Sequence, residues 1–223
     1  MFGNYFKTAL RLFWKNRSFS IINIAGLALS MAVCLLLIMI IKDAGDYDKF
    51  HRDSNRIYRI NTEMMRQNGD ISLDATSPYL VGSTLASNYT GVEAWTMFNT
   101  GMHKDIAADA RKFEFNIHFT DSNFFDLFGF TLKEGNVANV LTQPYTVVLT
   151  DESSAKLFPA GNAIGRSVEI DKMGLFKVTG VLNKFPGKTH FEFEALVSFS
   201  TVPSLEKDSV VHKTTGNWNN FNN

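Results

Sequence analysis

The stretch Ile21–Ile41, IINIAGLALSMAVCLLLIMII, holds no charged side chain, and Asn23 and Ser30 are its only clearly polar members. Wound as a helix at 1.5 Å per residue it is about 30 Å long, the thickness of a bilayer's hydrocarbon core. Two other structures produce long apolar runs. A buried core helix of this length would carry a polar stripe, and none is visible. A cleavable signal peptide would have a shorter apolar region of about 7 to 15 residues and small residues at its end. This run ends instead in Lys42-Asp43, and Cys34 within it lacks the small residue expected just before a lipoprotein cysteine. The run therefore reads as a retained transmembrane helix.

Charge then orients the chain. Lys7, Arg11, Lys15 and Arg17 precede the end of the run and no Asp or Glu does; since the whole chain has 22 basic and 22 acidic side chains, the first part carries +4 and the remainder −4. The positive-inside rule keeps the N-terminus in the cytoplasm and puts everything after Ile41 across the membrane. That remainder is neither basic enough to suggest nucleic acid nor acidic enough to suggest disorder. The single cysteine lies within the span, so the exported portion has no disulfide and must be held by a core. A chain that is 13% aromatic, with 20 Phe, can build one.

Before the span, Phe2, Phe6, Ala9, Leu10, Phe13 and Trp14 recur at helical spacing while Lys7, Arg11 and Lys15 follow at i, i+4. This pattern predicts an amphipathic helix in the cytoplasmic interface, cations near lipid phosphates and aromatics at headgroup depth. Beyond the span, alternation predicts a strand over Arg56–Glu63, so that the stalk feeds straight into a sheet. Ser77-Pro78 marks the start of a helix to about Asn88. Strands are expected at Glu93–Asn99 and, more clearly, at Lys112–Thr120, where Phe113, Phe115, Ile117 and Phe119 face a core and Glu114, Asn116, His118 and Thr120 face water. Asp121 or Ser122 caps a short helix carrying Phe124, Phe125, Leu127 and Phe128. Thr146–Thr150 reads as a strand, Asp151 as the cap of a helix to about Phe158, and Ser167–Ile170 and Phe176–Leu182 as strands around a turn at Lys172–Gly174. A last, mostly one-sided strand carries Phe191, Phe193, Ala195, Val197 and Phe199. From Thr201 the pattern weakens, and the chain stops at Trp218–Asn223 with no helix, cap or charged tail, as expected of a truncated fragment.

Signs of catalysis are sparse. Gly161–Ser167 (GNAIGRS) has three residues between its glycines and then an Arg, where a phosphate-binding loop needs four and then a Lys. Of His51, His103, His118, His190 and His212, no two stand at i, i+3 or i+4, and each reads as a surface or hydrogen-bonded side chain rather than a metal ligand. Asp151-Glu152 and Ser153-Ser154 sit at a helix start, where capping accounts for them. The Phe-rich stretches Phe113–Phe119 and Phe124–Phe130 could line a conduit for an apolar substrate, but core packing explains them better. No catalytic, cofactor-binding or metal-binding residue is assigned.

The segments FKTALRLFWKNRSFSIINIAGLALSMAVCLLL, DYDKFHRDSNRIYRI, FTDSNFFDLFGFTLKEG, TVVLTDESSAKLF, NAIGRSVEI, FKVTGVL and HFEFEALVSF stand in this order. In that order the chain resembles the N-terminal part of the MacB-like (FtsX-type) permeases of ABC transporters, with their periplasmic core domain. The resemblance runs through nearly the whole sequence. It implies a bacterial inner-membrane permease subunit without catalysis of its own, driven by a partner ATPase through mechanotransmission, and acting on peptide, drug or lipoprotein-like substrates. It also implies a homodimer, or a pseudo-dimer with a second permease half, and periplasmic or outer-membrane partners. The family's further membrane helices and coupling elements have no counterpart in this sequence, so no site residue is carried over.

The expected fold is α+β: an interfacial helix over residues 1–17, a transmembrane helix over 18–42, and a mixed α+β extracytoplasmic domain over 43–223, incomplete at its C-terminus. The alternative reading is a single-pass anchored domain that binds a ligand or senses a signal without transport. Intact-mass analysis of the mature protein checks the first element: residues 21–41 stay attached, and their loss would remove the anchor on which both readings stand.

Overall fold

The computed structural model describes residues 2–65, 69–78, 80–99 and 101–205, and the chain divides into two units, residues 1–47 and 48–223. His212 and the Trp218–Asn223 stretch lie outside the described residues. In the first unit, α1 (Phe2–Lys15) is followed after Asn16 by α2 (Arg17–Gly45). The second helix contains the entire apolar run, and none of its residues is buried by protein. Its one hydroxyl in the middle of the run is satisfied internally, because Ser30 Oγ donates to Gly26 O one turn back at 2.9 Å.

The second unit begins with a 3-10 turn at Ser54–Arg56 and then a separate antiparallel pair, β1 (Thr62–Met65) and β2 (Ile71–Asp74). There follow α3 (Val81–Asn88), β3 (Met102–Ala108), β4 (Arg111–Thr120), α4 (Asn123–Phe128), β5 (Leu132–Gly135), β6 (Thr146–Leu149) and α5 (Asp151–Leu157). The remaining elements are β7 (Ser167–Ile170), β8 (Gly174–Leu182), β9 (Ala195–Ser198), a second 3-10 turn and α6 (Val202–Leu205). Seven strands form one mixed sheet in the order β5-β8-β6-β9-β4-β3-β7. Because β7 also pairs with β8, six of them close into a ring, and β5 continues along the edge of β8 beyond β7.

Ring closure gives each strand an inside and an outside, and side chains alternate between two cores. Phe115, Ile117 and Phe119 of β4, Val147 and Leu149 of β6, Phe176 and Val178 of β8, and Ala195 and Val197 of β9 belong to one cluster. Leu157, Phe158 and Val202 join it from the helical side. The intervening residues Val148 and Leu196, with Leu182 at the end of β8, belong to a second cluster, built on the sheet's other face with Phe124, Phe125, Phe130 and Phe193. The sheet is thus buried on both faces over much of its area.

This architecture changes several expectations. The Arg56–Glu63 strand starts only at Thr62 and pairs with β2 rather than with the main sheet. The preceding residues make side-chain contacts instead: Arg56 pairs with Glu93 at 2.6 Å and Arg59 donates twice to Ala75 O, at 3.1 and 2.7 Å. Glu93–Asn99 is not a strand but a loop with a single bridge, Phe98 to Thr120, because Thr96 and Met97 bond to Asp121 and Thr120. Helix α3 begins at Val81, three residues after Pro78, whose carbonyl accepts from Val81 N.

The one-sided picture of β4 holds only in part. Phe113 lies on the inward face but is 39% exposed, whereas His118 and Thr120 on the supposedly wet face are buried. All four residues of β9 are buried, and Phe191 and Phe193 precede that strand. The cap of α5 is Thr150, not Asp151: its Oγ1 accepts from Ser153 N at 3.2 Å, while Asp151 pairs with Lys133. Ser122 occupies the cap position of α4, but Asp121 supplies the acceptor, 3.0 Å from Asn123 N. Strands β2, β3 and β5 have no counterpart among the expected elements.

Phe119 is 1% exposed inside the ring. Its replacement by Ala should lower unfolding free energy by about 3–5 kcal/mol, seen as an earlier urea midpoint of the domain with a similar slope.

Candidate functional site

The second unit is pinned to itself from its first residue. Asp48 adopts a left-handed backbone with φ 57°, and its N–H donates to Lys188 O at 2.9 Å. Its carboxylate takes Oδ2 to His190 Nδ1 at 2.5 Å and Oδ1 to His190 N at 3.2 Å, with His51 Nε2 at 3.3 Å from the same Oδ1. Burial alone would raise the Asp48 pKa, but hydrogen bonds from Thr189 and from the side chain and backbone of His190 outweigh it and hold the carboxyl below its ordinary value.

His51, 7% exposed, brings Nδ1 to 2.6 Å from Phe128 O at the end of α4. Its ring centroid lies 4.3 Å from Phe50, 5.3 Å from Phe128, 5.9 Å from Phe191 and 6.0 Å from Phe130. Opposite, Gly187 leaves room for Phe50, since a Cβ there would sit 3.3 Å from Phe50 Cδ1. Residues 48–51 are therefore held by polar contacts on one side and by the second aromatic cluster on the other.

Sequence spacing singled out the histidines but did not bring them together. His51 and His190 share Asp48, which lies three positions from the first and 142 from the second along the chain. His103 stands apart on β3, exposed and opposite Asn116. His118 is buried, stacked on Phe98 with centroids 4.5 Å apart, and its Nδ1 lies 2.7 Å from Asn99 O. Burial lowers its pKa, more than hydrogen bonds to the Asn99 and Glu192 backbone raise it.

The other candidates have structural employment. Arg166, at the end of the glycine loop, lies 4.5 Å over the Phe158 ring and 2.5 Å from Asp109. Ser153 is buried against Thr150, with their hydroxyl oxygens 2.8 Å apart. Phe115, Phe119, Phe124, Phe125 and Phe130 are at most 3% exposed, which makes them core rather than conduit. Among the described residues, no group of three His, Cys, Asp or Glu side chains is arranged to hold a metal.

The structure presents one long apolar helix near the N-terminus and, in the second unit, a first segment locked into a mixed strand ring with two cores. This is the build of a membrane-anchored α+β domain. The chain belongs to the MacB-like periplasmic core domain family, whose model matches residues 20–220.

Among solved structures, the chain is similar to a domain of a protein described as a permease from Porphyromonas gingivalis, with TM-score 0.56, 19% identity, and coverage of 71% of this chain and 65% of that one. It is also similar to the periplasmic region of MacB from Actinobacillus actinomycetemcomitans (TM-score 0.46, 22% identity, 57% of each chain). A third is the extracellular domain of the ABC-type transporter YknZ from Gram-positive bacteria (TM-score 0.42, 15% identity, 53% of this chain and 60% of that one). The first likeness supports the fold. The chain spans between 57% and 65% of the length of these three. No curated protein matches it.

His118 provides a check on the buried polar layer. Its pKa is lower folded than unfolded, so the unfolded chain binds the extra proton. Its stability contribution is thus complete above the ordinary histidine value of 6.5 and is lost as pH falls below it toward the folded value. Urea unfolding should show stability falling with acidification in this window, and His118→Gln should flatten that part of the profile.

Proposed function

We propose that the chain is the N-terminal portion of the membrane permease subunit of a MacB/FtsX-type ABC transporter, in which a partner ATPase works on an extracytoplasmic domain through the membrane helices. The observation that carries this reading is α2: its apolar run is covered by no protein, and it enters a domain of the MacB-like periplasmic core family. An apolar surface of that size is stable only against lipid or other helices. The interfacial basic helix, residues 1–17, lies on the cytoplasmic side, residues 18–42 span the inner membrane, and residues 43–223 stand in the periplasm. Peptide, drug or lipoprotein-like substrates, a dimer or pseudo-dimer, and periplasmic or outer-membrane partners belong to the same reading.

The pinned segment from Asp48 supports mechanical coupling. A flexible tether would absorb displacement, whereas residues hydrogen-bonded into the domain from its start pass displacement on. ATP hydrolysis then belongs to the partner, and this chain supplies the connector.

Topology and partnership are tested together in the full-length gene product. In a Cys34→Ser background, Lys172→Cys should react with a membrane-impermeant maleimide in intact cells and Lys7→Cys only after permeabilisation. Detergent purification should bring down an ABC-type ATPase. Reversed labelling would overturn the orientation, and a complex without the ATPase would leave an anchored binding domain in place of a transporter subunit.

A further inference from the structure

Strands β1 and β2 form a sheet of their own, apart from the seven-stranded one. Their register sets Thr62 opposite Asp74, Glu63 opposite Leu73, Met64 opposite Ser72 and Met65 opposite Ile71. Partners in an antiparallel pair share a face, and faces alternate along each strand. Thr62, Met64 and Ser72 therefore stand on one face, and Glu63, Met65, Ile71 and Leu73 on the other. The first face is the more covered: Thr62 and Ser72 are half-buried, the Ser72 hydroxyl oxygen is shielded from solvent, and Met64 is 41% exposed. On the second face Glu63, Ile71 and Leu73 are exposed, and Met65 is 78% exposed.

Met65 is placed where a change of polarity counts. Of the four pairs, Met65 with Ile71 is the one in which both side chains are apolar, and Leu73 lies diagonally within reach of the same thioether. It is also the pair nearest the connection between the strands, so weakening it frays the ribbon from its closed end. A two-stranded ribbon is only marginally stable by itself. Met97, Met102 and Met173 differ, being partly buried against the first core of the ring, and Met31 and Met39 lie on α2, in the other unit. A two-electron oxidant reaches an exposed thioether sulfur before a covered one.

We propose that Met65 is an oxidation site, with peroxide as the oxidant, and that its sulfoxide loosens the β1–β2 ribbon. The sulfur lone pair takes one peroxide oxygen. The S–O bond forms as the O–O bond breaks, sulfur is oxidised by two electrons, and the second oxygen leaves as water after receiving the proton of the first. The sulfoxide is polar and chiral, so it turns toward water and weakens the apolar contact with Ile71 and Leu73. Sulfoxide reductases run the reverse change with a dithiol, which becomes a disulfide as the oxygen leaves as water. The ribbon thus responds to oxidant on the domain's side of the membrane while the ring stays closed. Neither an ATPase nor a transported substrate is required.

The test treats the full-length gene product in lipid nanodiscs with hydrogen peroxide, then reads peptide mass maps and backbone amide exchange. Sulfoxide should appear at Met65 ahead of Met97, Met102 and Met173. Exchange over Thr62–Met65 and Ile71–Asp74 should then quicken by up to about fivefold, the weight of one cross-strand pair, while exchange in β4 stays as it was. Met65→Leu keeps an apolar partner for Ile71 and should abolish the response to peroxide, whereas Met64→Leu should retain it. Sulfoxide forming at Met65 no sooner than at the partly buried methionines would overturn the oxidation site. Unchanged ribbon exchange in the Met65 sulfoxide, or a response that survives Met65→Leu, would overturn the loosening. If Met65→Leu does not fold, the order of oxidation and the ribbon exchange of the unsubstituted chain decide alone.

Discussion

Along Gly174–Leu182, β8 bonds to β6 on one edge and to β7 and then β5 on the other. That double use turns a row of strands into a ring. Phe176 and Val178 point to the first core, and the shift in pairing with β6 after Val178 turns Leu182 to the other. A register slip of one residue in β8 would turn these side chains away from the cores they fill. Gly180 shows how tight this junction is: a Cβ there would meet Val140 at 3.0 Å and Val148 at 3.1 Å, so two layers meet across a residue with no side chain.

The second core holds the start of the domain. Phe124 stacks on Phe98 and Phe130 with centroids 5.4 and 5.2 Å apart, and Phe191 and Phe193 meet it edge-on. Phe50 joins through Phe130 at 5.4 Å and draws the polar cluster of Asp48, His51 and His190 against the aromatic one. Apolar packing positions this cluster, and the hydrogen bonds give it direction. The domain's stability and the fixing of its first residues therefore have the same source.

Much of this was legible in the sequence. The apolar run, the basic helix before it, β4, β6, β7, β8 and α5 all follow from period and capping chemistry, and the order of segments led to the family. What was not legible depended on distant partners. MHKDIAA at β3 has no clean alternation, and LKEG at β5 is four residues long; both are strands because β4 and β8 offer edges. His118 sits on a face that reads as wet until Phe98 covers it. The cluster at Asp48 joins residues too far apart for any spacing rule, though Asp-x-x-His at 48–51 was a local hint.

Among the described residues, closing the ring leaves the seven-stranded sheet with one strand, β5, that has a single neighbour. It is four residues long, interrupted by a bulge between Leu132 and Glu134, carries Lys133 and Glu134, and ends at Gly135. Short length, charge and a bulge each discourage edge-to-edge pairing between chains. Domains anchored in one membrane meet one another in two dimensions and in a common orientation, where encounter is frequent and pre-aligned. A blunt outer strand lets them crowd there without zipping into a continuous sheet.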